Sequence, residues 1–220
     1  MKRSWAFAPF VLVGLAHLYC LVADLYWPAL VTKFSLMPAL LLALLVALPR
    51  LRSEIALWAS LAIGFSWAGD ILLADPGDLG FLLGLGCFLL AHALYLVLYV
   101  RPLHSRRWGW WPLLFLAWWG ALLVVLVPHI GALAVPVVIY GLVMCAAAAA
   151  ATATTPLVAV GATLFLVSDT VLALRFFLPG FSLWEADAVI MAPYIAGQGL
   201  IVAGAVLVAQ HRVASRAPVA

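Results

Sequence analysis

The chain has 220 residues, 68% of them hydrophobic and only 9% charged, with a formal net charge of +3. Soluble domains carry roughly 25% charged residues, so this composition argues against a soluble globular domain and for a chain whose apolar surface faces lipid. The basic residues lie scattered along the borders of apolar runs, which leaves no footprint for a nucleic-acid partner, and the length suits one compact bundle without a separate soluble domain.

A helix needs roughly 20 apolar residues to cross a hydrocarbon core about 30 Å thick. Charges and prolines divide the sequence into about eight such runs, which predicts an all-α polytopic transmembrane bundle forming a single domain over 1–220. The first run, 5–24, follows Lys2 and Arg3; no small-x-small cleavage site follows it, so it reads as a membrane helix and not as a signal peptide. It carries His17 and ends at Asp24, at a spacing that puts the two on one face. The second, 33–49, opens on Lys33 and contains Pro38, an expected kink.

The third run, 55–74, places Asp70 near its end, and the fourth, 80–100, holds Gly84 and Gly86 and then His92 and Tyr95 on one face. The fifth, 110–128, follows Arg106, Arg107, Trp108, Trp110 and Trp111, which read as an interfacial belt. The sixth, 132–151, has Pro136 as a second expected kink and ends in the alanine run from Ala146 to Ala151; alanine and glycine allow close helix approach. The seventh, 156–177, carries Asp169 and Arg175, and the eighth, 187–209, carries Tyr194, Gly197, Gln198 and Gly199. Continuous apolarity, without alternation, excludes a β-barrel. Short connections predict that successive helices are antiparallel neighbours.

Basic residues set the orientation. With eight spans, Lys2, Arg3, Arg50, Arg52, Arg101, Arg106, Arg107, Arg212 and Arg216 share one side, against Lys33 and Arg175 on the other. Both termini are therefore expected in the cytoplasm, with the chain in the cell (inner) membrane. Asp75, Asp78, Glu185 and Asp187 fall in outer loops. Cys20, Cys87 and Cys145 lie in apolar stretches without metal-ligand spacing, so neither a disulfide nor a metal site is expected.

A charged side chain in a bilayer core costs at least a few kcal/mol and needs a compensating role. Asp70 and Asp169 are the clearest cases, and they sit in similar contexts: Phe65 to Ala74 resembles Leu164 to Ala173, which raises a parallel four-plus-four repeat. Asp24, Asp70, Asp169 and Arg175 come late in outward-running helices, and Lys33, His92 and Tyr194 come early or midway in inward-running ones, with Gln198 nearby. Their common level predicts one polar cavity in the outer half of the bundle. No His set for a catalytic zinc and no Gly-x-Ser-x-Gly motif is present, and no cofactor is implied.

Lys33-Phe34-Ser35-Leu36-Met37-Pro38, the Gly69-Asp70 step, Gly84 to Tyr95, Ser168-Asp169 and Tyr194 to Val202 occur in an order that resembles the YhhN-like lysoplasmalogenase family of eight-helix membrane proteins. The resemblance covers nearly the whole chain. It implies a lysophospholipid substrate and hydrolysis of its vinyl ether bond to a fatty aldehyde and a glycerophospho-ethanolamine or -choline. Lys33, Asp70, His92, Tyr95 and Asp169 match the family pattern.

Vinyl ether hydrolysis needs an acid to protonate carbon and a carboxylate to steady the resulting cation. Asp70 and Asp169 suit that pair, with His92 as the third catalytic candidate. Lys33, Tyr95, Asp24, Arg175, Tyr194 and Gln198 are candidates for substrate binding. Intramembrane carboxylates also serve proton- or ion-coupled transporters of small amphiphiles, the alternative reading.

Overall fold

In the computed structural model, which describes residues 4–75, 77–107 and 109–215, the chain forms eight α-helices and, among those residues, no strand. A 3-10 turn at Ser4–Phe7 leads into α1 (Ala8–Val22), followed by α2 (Tyr26–Ala47), α3 (Glu54–Leu72), α4 (Asp78–Val100), α5 (Pro112–Ile130), α6 (Ala134–Ala151), α7 (Pro156–Phe177) and α8 (Ala186–Ala214). Lys2, Arg3, Trp108 and Arg216, used above for orientation and the aromatic belt, lie outside the described residues.

Local chemistry explains several helix starts. Pro9, Pro112 and Pro156 open α1, α5 and α7, where a missing N–H costs nothing. The Ser53 hydroxyl accepts from Ala56 N at 3.2 Å and caps α3.

Three expectations need correction. α2 starts at Tyr26, seven residues before the expected 33, because Pro28 falls in the first turn and is tolerated there. Lys33 is therefore two turns inside α2 and does not open it. α1 stops at Val22, and Asp24 adopts a left-handed φ of 55° in the turn to α2, so it does not share a helical face with His17. Pro136 sits in the first turn of α6, where no ladder bond is lost; the prolines inside helices are Pro38, Pro128 and Pro193.

Among the described residues, seven helical stretches are long and apolar enough to cross a membrane. One of them, Pro112–Ala151, runs for 40 residues, about 60 Å if straight and twice a hydrocarbon core. It is not straight. A 3-10 turn at Gly131–Leu133 divides it, Gly131 takes φ 59°, and Trp119 Nε1 of α5 donates to Val138 O of α6 at 3.3 Å. α5 and α6 thus fold back on each other.

Helix packing follows the order α1, α2, α3, α4, α6, α7, α8 and back to α1, a closed ring. α8 leans inward and also touches α2 and α3. α5 stands outside the ring against α6 and α7, with only Leu126 and Ile130 buried. Successive helices are therefore neighbours except at one step: residues 101–111 carry the chain away from α4, whose partner is α6.

The closest contact in the ring joins α7 and α8. A Cβ on Gly197 would lie 2.7 Å from Gly161 O, and one on Gly161 would lie 2.8 Å from Gly197 O, so the two backbones touch. Large apolar side chains such as Leu12, Trp27, Val124 and Val135 cover the outside of the bundle.

The two ends of the bundle differ in charge. Arg50, Arg52, Arg101, Arg106 and Arg107 lie in the connections after α2 and α4, and Arg212 near the end of α8. Gln210 Nε2 donates to Ala47 O at 3.2 Å, Arg106 N donates to Ala153 O at 3.0 Å, and Arg101 approaches Glu54 at 3.9 Å, which ties these connections together at one end. The opposite end holds the α1–α2, α3–α4 and α7–α8 turns.

Candidate active site

At that opposite end the helices enclose a cavity of about 500 Å³. α1, α2, α3, α7 and α8 all contribute to it, and Phe88 of α4 forms part of the wall. Its polar lining comprises His17, Tyr26, Lys33, Asp70, Ser168, Asp169, Arg175, Asp187 and Tyr194. The ring brings these residues together because each stands in the last turns of an ascending helix or the first turns of a descending one.

The two carboxylates are buried, Asp70 at 3% exposure and Asp169 at 7%. Each is held through one oxygen. Tyr194 of α8 donates to Asp70 Oδ2 at 2.8 Å. Tyr140 of α6 donates to Asp169 Oδ2 at 2.6 Å, and His92 Nε2 of α4 lies 2.7 Å from the same oxygen. Among the described residues, Oδ1 of neither aspartate has a hydrogen-bond partner. The result is two aspartates fastened from behind, each with one oxygen left for chemistry.

Behind this pair runs a second, fully buried set of bonds. The Tyr95 hydroxyl donates to Gln198 Oε1, and Gln198 Nε2 donates to Ser66 Oγ at 3.0 Å. Gln198 and Ser66 are wholly buried and Tyr95 is 1% exposed. Ser168 Oγ donates to Ile190 O at 2.8 Å and ties α7 to α8 next to Asp169. Phe165 packs against His92, Tyr95 and Tyr194, with ring centroids 4.5, 6.3 and 5.2 Å away. These contacts fix the rings that hold the carboxylates.

Cations stand nearer the mouth. Lys33 makes no ion pair among the described residues and lies within electrostatic reach of His17 and Asp70. Thr32 Oγ1 donates to Pro28 O at 2.7 Å, so it accepts from His17 Nδ1 at 3.0 Å. That pairing puts the proton of a neutral His17 on Nδ1 and leaves Nε2 a buried acceptor without a hydrogen-bond partner. Arg175 Nη1 donates to Asp187 Oδ1 at 2.5 Å across the half-exposed rim.

The structure therefore gathers Asp70, Asp169, Lys33, Arg175 and Tyr194 into one cavity, and sets His92, Tyr95 and Gln198 just behind its wall. Asp24 does not join them; it is exposed in the α1–α2 turn and absent from the lining. Tyr140, Ser66 and Asp187 were not recognised as site residues from sequence. Tyrosine and serine are ordinary in membrane helices, and only the fold shows what they bond.

A recurrence in spacing accompanies this geometry. Asp169 and Tyr194 stand as far apart in sequence as Asp70 and Tyr95. Yet Tyr194 bonds Asp70, and α4, the helix of Tyr95, supplies His92 to Asp169. Each carboxylate is held by a helix from the other half of the chain, Asp169 by Tyr140 of its own half as well.

Among the described residues, no three His, Cys, Asp or Glu side chains cluster as a metal site would require. Fold and site together define a multi-pass helical membrane protein with a pair of anchored carboxylates in a cavity at one end of its bundle. The chain belongs to the YhhN family, whose family model matches residues 28–205. That stretch runs from the first turn of α2 into α8 and includes both aspartates and every residue that bonds them. No curated protein and no solved structure matches the chain.

Proposed function

We propose that this protein is a lysoplasmalogenase-type hydrolase that cleaves the vinyl ether bond of lysoplasmalogens. The products are a fatty aldehyde and glycerophospho-ethanolamine or -choline. The observation that carries this reading is the pairing of Asp70 and Asp169 at one cavity, each anchored through Oδ2 and each with Oδ1 unpartnered among the described residues.

The chemistry follows from that arrangement. A protonated carboxyl delivers its proton to the vinyl carbon remote from oxygen, and the double-bond electrons form the new C–H bond. The oxocarbenium ion that results is steadied by the other carboxylate, which also takes a proton from the attacking water. The hemiacetal then collapses, the glycerol oxygen leaves with a proton, and the aldehyde is released.

We assign the proton to Asp70 and the charge to Asp169, because Asp169 Oδ2 meets two partners, the Tyr140 hydroxyl and His92 Nε2, while Asp70 Oδ2 meets one. Paired carboxylates divide acid and nucleophile or base roles in the same manner in glycosidases. Lys33, which lines the cavity and makes no ion pair among the described residues, suits the lipid phosphate. Arg175, already paired with Asp187, suits the rim.

In this reading the chain crosses the cell membrane eight times with both termini in the cytoplasm, and the cavity opens toward the outer leaflet. The bias of basic residues toward the opposite end supports that orientation.

The test is aldehyde release from a lysoplasmenyl-phosphoethanolamine by purified protein, beside Asp70→Asn and Asp169→Asn. General acid–base catalysis is worth roughly 10²–10⁴-fold, and each variant is expected to lose at least that much while keeping its melting temperature. Near-native turnover in both variants would sink the assignment.

A further inference from the structure

The main cavity has one polar wall residue that the proposed reaction leaves unused. His17, on α1, lines the cavity and is 1% exposed. It lies ahead of the stretch, residues 28–205, that the family model matches. α1 packs on both α2 and α8, and the ring stands near the starts of those two helices.

One edge of the ring is fixed. Nδ1 lies 3.0 Å from Thr32 Oγ1, and that hydroxyl is 2.7 Å from Pro28 O and 3.0 Å from Ala29 O. Carbonyl oxygens only accept, so the single Thr32 proton goes to them and Nδ1 carries a proton of its own. In the neutral ring Nε2 is then a bare lone pair. It is buried, and no donor among the described residues bonds it. Acceptors this deep are nearly always bonded. The fixed edge turns Nε2 away from Thr32, and Lys33 and Asp187, charged residues within electrostatic reach of the ring, both line the cavity. The donor that Nε2 lacks therefore belongs to whatever fills the cavity.

We propose that His17 Nε2 accepts a hydrogen bond from the free hydroxyl on the central glycerol carbon of a lysolipid, and so selects one-chain lipids over two-chain ones. The inference rests on the lysolipid reading above and adds the residue that reads the missing second chain. Lys33 is within electrostatic reach of Asp70 as well as of His17. A phosphate at Lys33 and a vinyl ether at the carboxylates put the glycerol backbone between them, with its central hydroxyl as the nearest donor. The headgroup amine lies on the far side of the phosphate, and a choline nitrogen has no proton to give. In a two-chain lipid the same glycerol oxygen is an ester, which cannot donate, and Nε2 would be buried unpaired against it.

The test compares two saturated 1-O-alkyl lysophosphoethanolamines, one with the central hydroxyl and one with fluorine in its place, bound to the full chain in nanodiscs. Fluorine is close to hydroxyl in size and donates nothing. Neither probe has a vinyl ether, so the result stands apart from the aldehyde assay. The fluoro probe is expected to bind the native protein about tenfold more weakly, the worth of one hydrogen bond to a buried acceptor. His17→Phe should bind the two probes alike. Equal affinities in the native protein would overturn the proposal, as would a preference that survives in His17→Phe. If neither probe binds the native protein, the lysolipid reading falls and this inference falls with it.

Thr32→Val gives a second, milder readout that leaves the imidazole in place. It takes from Nδ1 the acceptor that holds its proton, so the ring is no longer fixed in the tautomer that bares Nε2. The preference for the hydroxyl probe is expected to shrink several-fold. An unchanged preference in this variant would overturn the proposal, because the bond to Thr32 would then not be what presents the acceptor.

Discussion

His92 and Tyr140 converge on a single atom: His92 Nε2 lies 2.7 Å, and the Tyr140 hydroxyl 2.6 Å, from Oδ2 of Asp169. The two side chains come from different helices, α4 and α6, which pack directly on each other. Their rings meet edge to face, with centroids 5.6 Å apart. Asp169 is thus aimed by a rigid two-point anchor, and its remaining oxygen has little freedom to wander.

The anchor predicts a specific kinetic signature. Tyr140→Phe keeps the ring in place and removes one donor to a charged group, a loss of about 1.5–3 kcal/mol. If that loss falls in the transition state, turnover drops roughly tenfold or more, while KM for the lysolipid changes little. Steady-state aldehyde release separates the two terms. The His92→Ala, Tyr140→Phe double variant should lose less than the sum of the single losses, because both residues act on one oxygen. Additive losses would show that they act independently.

Gln198 predicts a loss of stability that a second substitution should relieve. Its amide satisfies Tyr95 and Ser66 in a fully buried setting. Gln198→Leu leaves both hydroxyls without their partner, at about 1–3 kcal/mol for each buried group. Thermal unfolding in detergent is expected to shift down clearly. Adding Tyr95→Phe removes one orphaned hydroxyl and should recover part of the shift, since replacing both partners of a hydrogen bond is far less costly than replacing one.

The contact between Gly161 and Gly197 predicts the steepest response to a single methyl group. A Cβ on Gly197 would press on Gly161 O at 2.7 Å and Phe165 N at 2.9 Å, both backbone atoms that no rotamer change can clear. Gly197→Ala is expected to cost about 1–3 kcal/mol by forcing α7 and α8 apart. Asp169 and Tyr194 lie on those helices, so activity should fall with the melting temperature. Gly86→Ala is the control: nothing lies within 4 Å of the added Cβ, and unfolding should be unaffected or slightly delayed.

Orientation is open to a direct check. The native cysteines are buried or half-buried within α1, α4 and α6. A membrane-impermeant maleimide applied to intact cells should label Ser182→Cys, exposed in the α7–α8 connection, and leave Ser105→Cys, exposed in the α4–α5 connection, untouched. The reverse pattern would invert the orientation read from the arginines and place the cavity in the inner leaflet.

Much of this was legible before any coordinates. Asp70, Asp169 and Lys33 stand out because charge is expensive among leucines, and their common depth follows from counting residues along alternating helices. Tyr194 and Gln198, which carry no charge, were placed by depth alone. What failed was local geometry. The helical start at Tyr26 depended on Pro28 being harmless in a first turn, and Asp24 left the helix through a single left-handed residue. Lateral packing was beyond reach as well. Hydropathy reports how far a helix extends and not which neighbour it chooses, so α4 turning to α6 and α5 standing outside could not be foreseen. Tyr140 went unread because its meaning lies in the carboxylate it meets, one helix away.

The crossing of donors between the two halves has one more consequence. α8 supplies Tyr194 to the aspartate of α3, and α4 supplies His92 to the aspartate of α7. Neither half of the chain owns a complete site; each lends the other a side chain, as the two subunits of a dimer do when an active site spans their interface. Assembly of the halves and assembly of the site are therefore one event, and a bundle that closed in the wrong order would hold two unfinished sites.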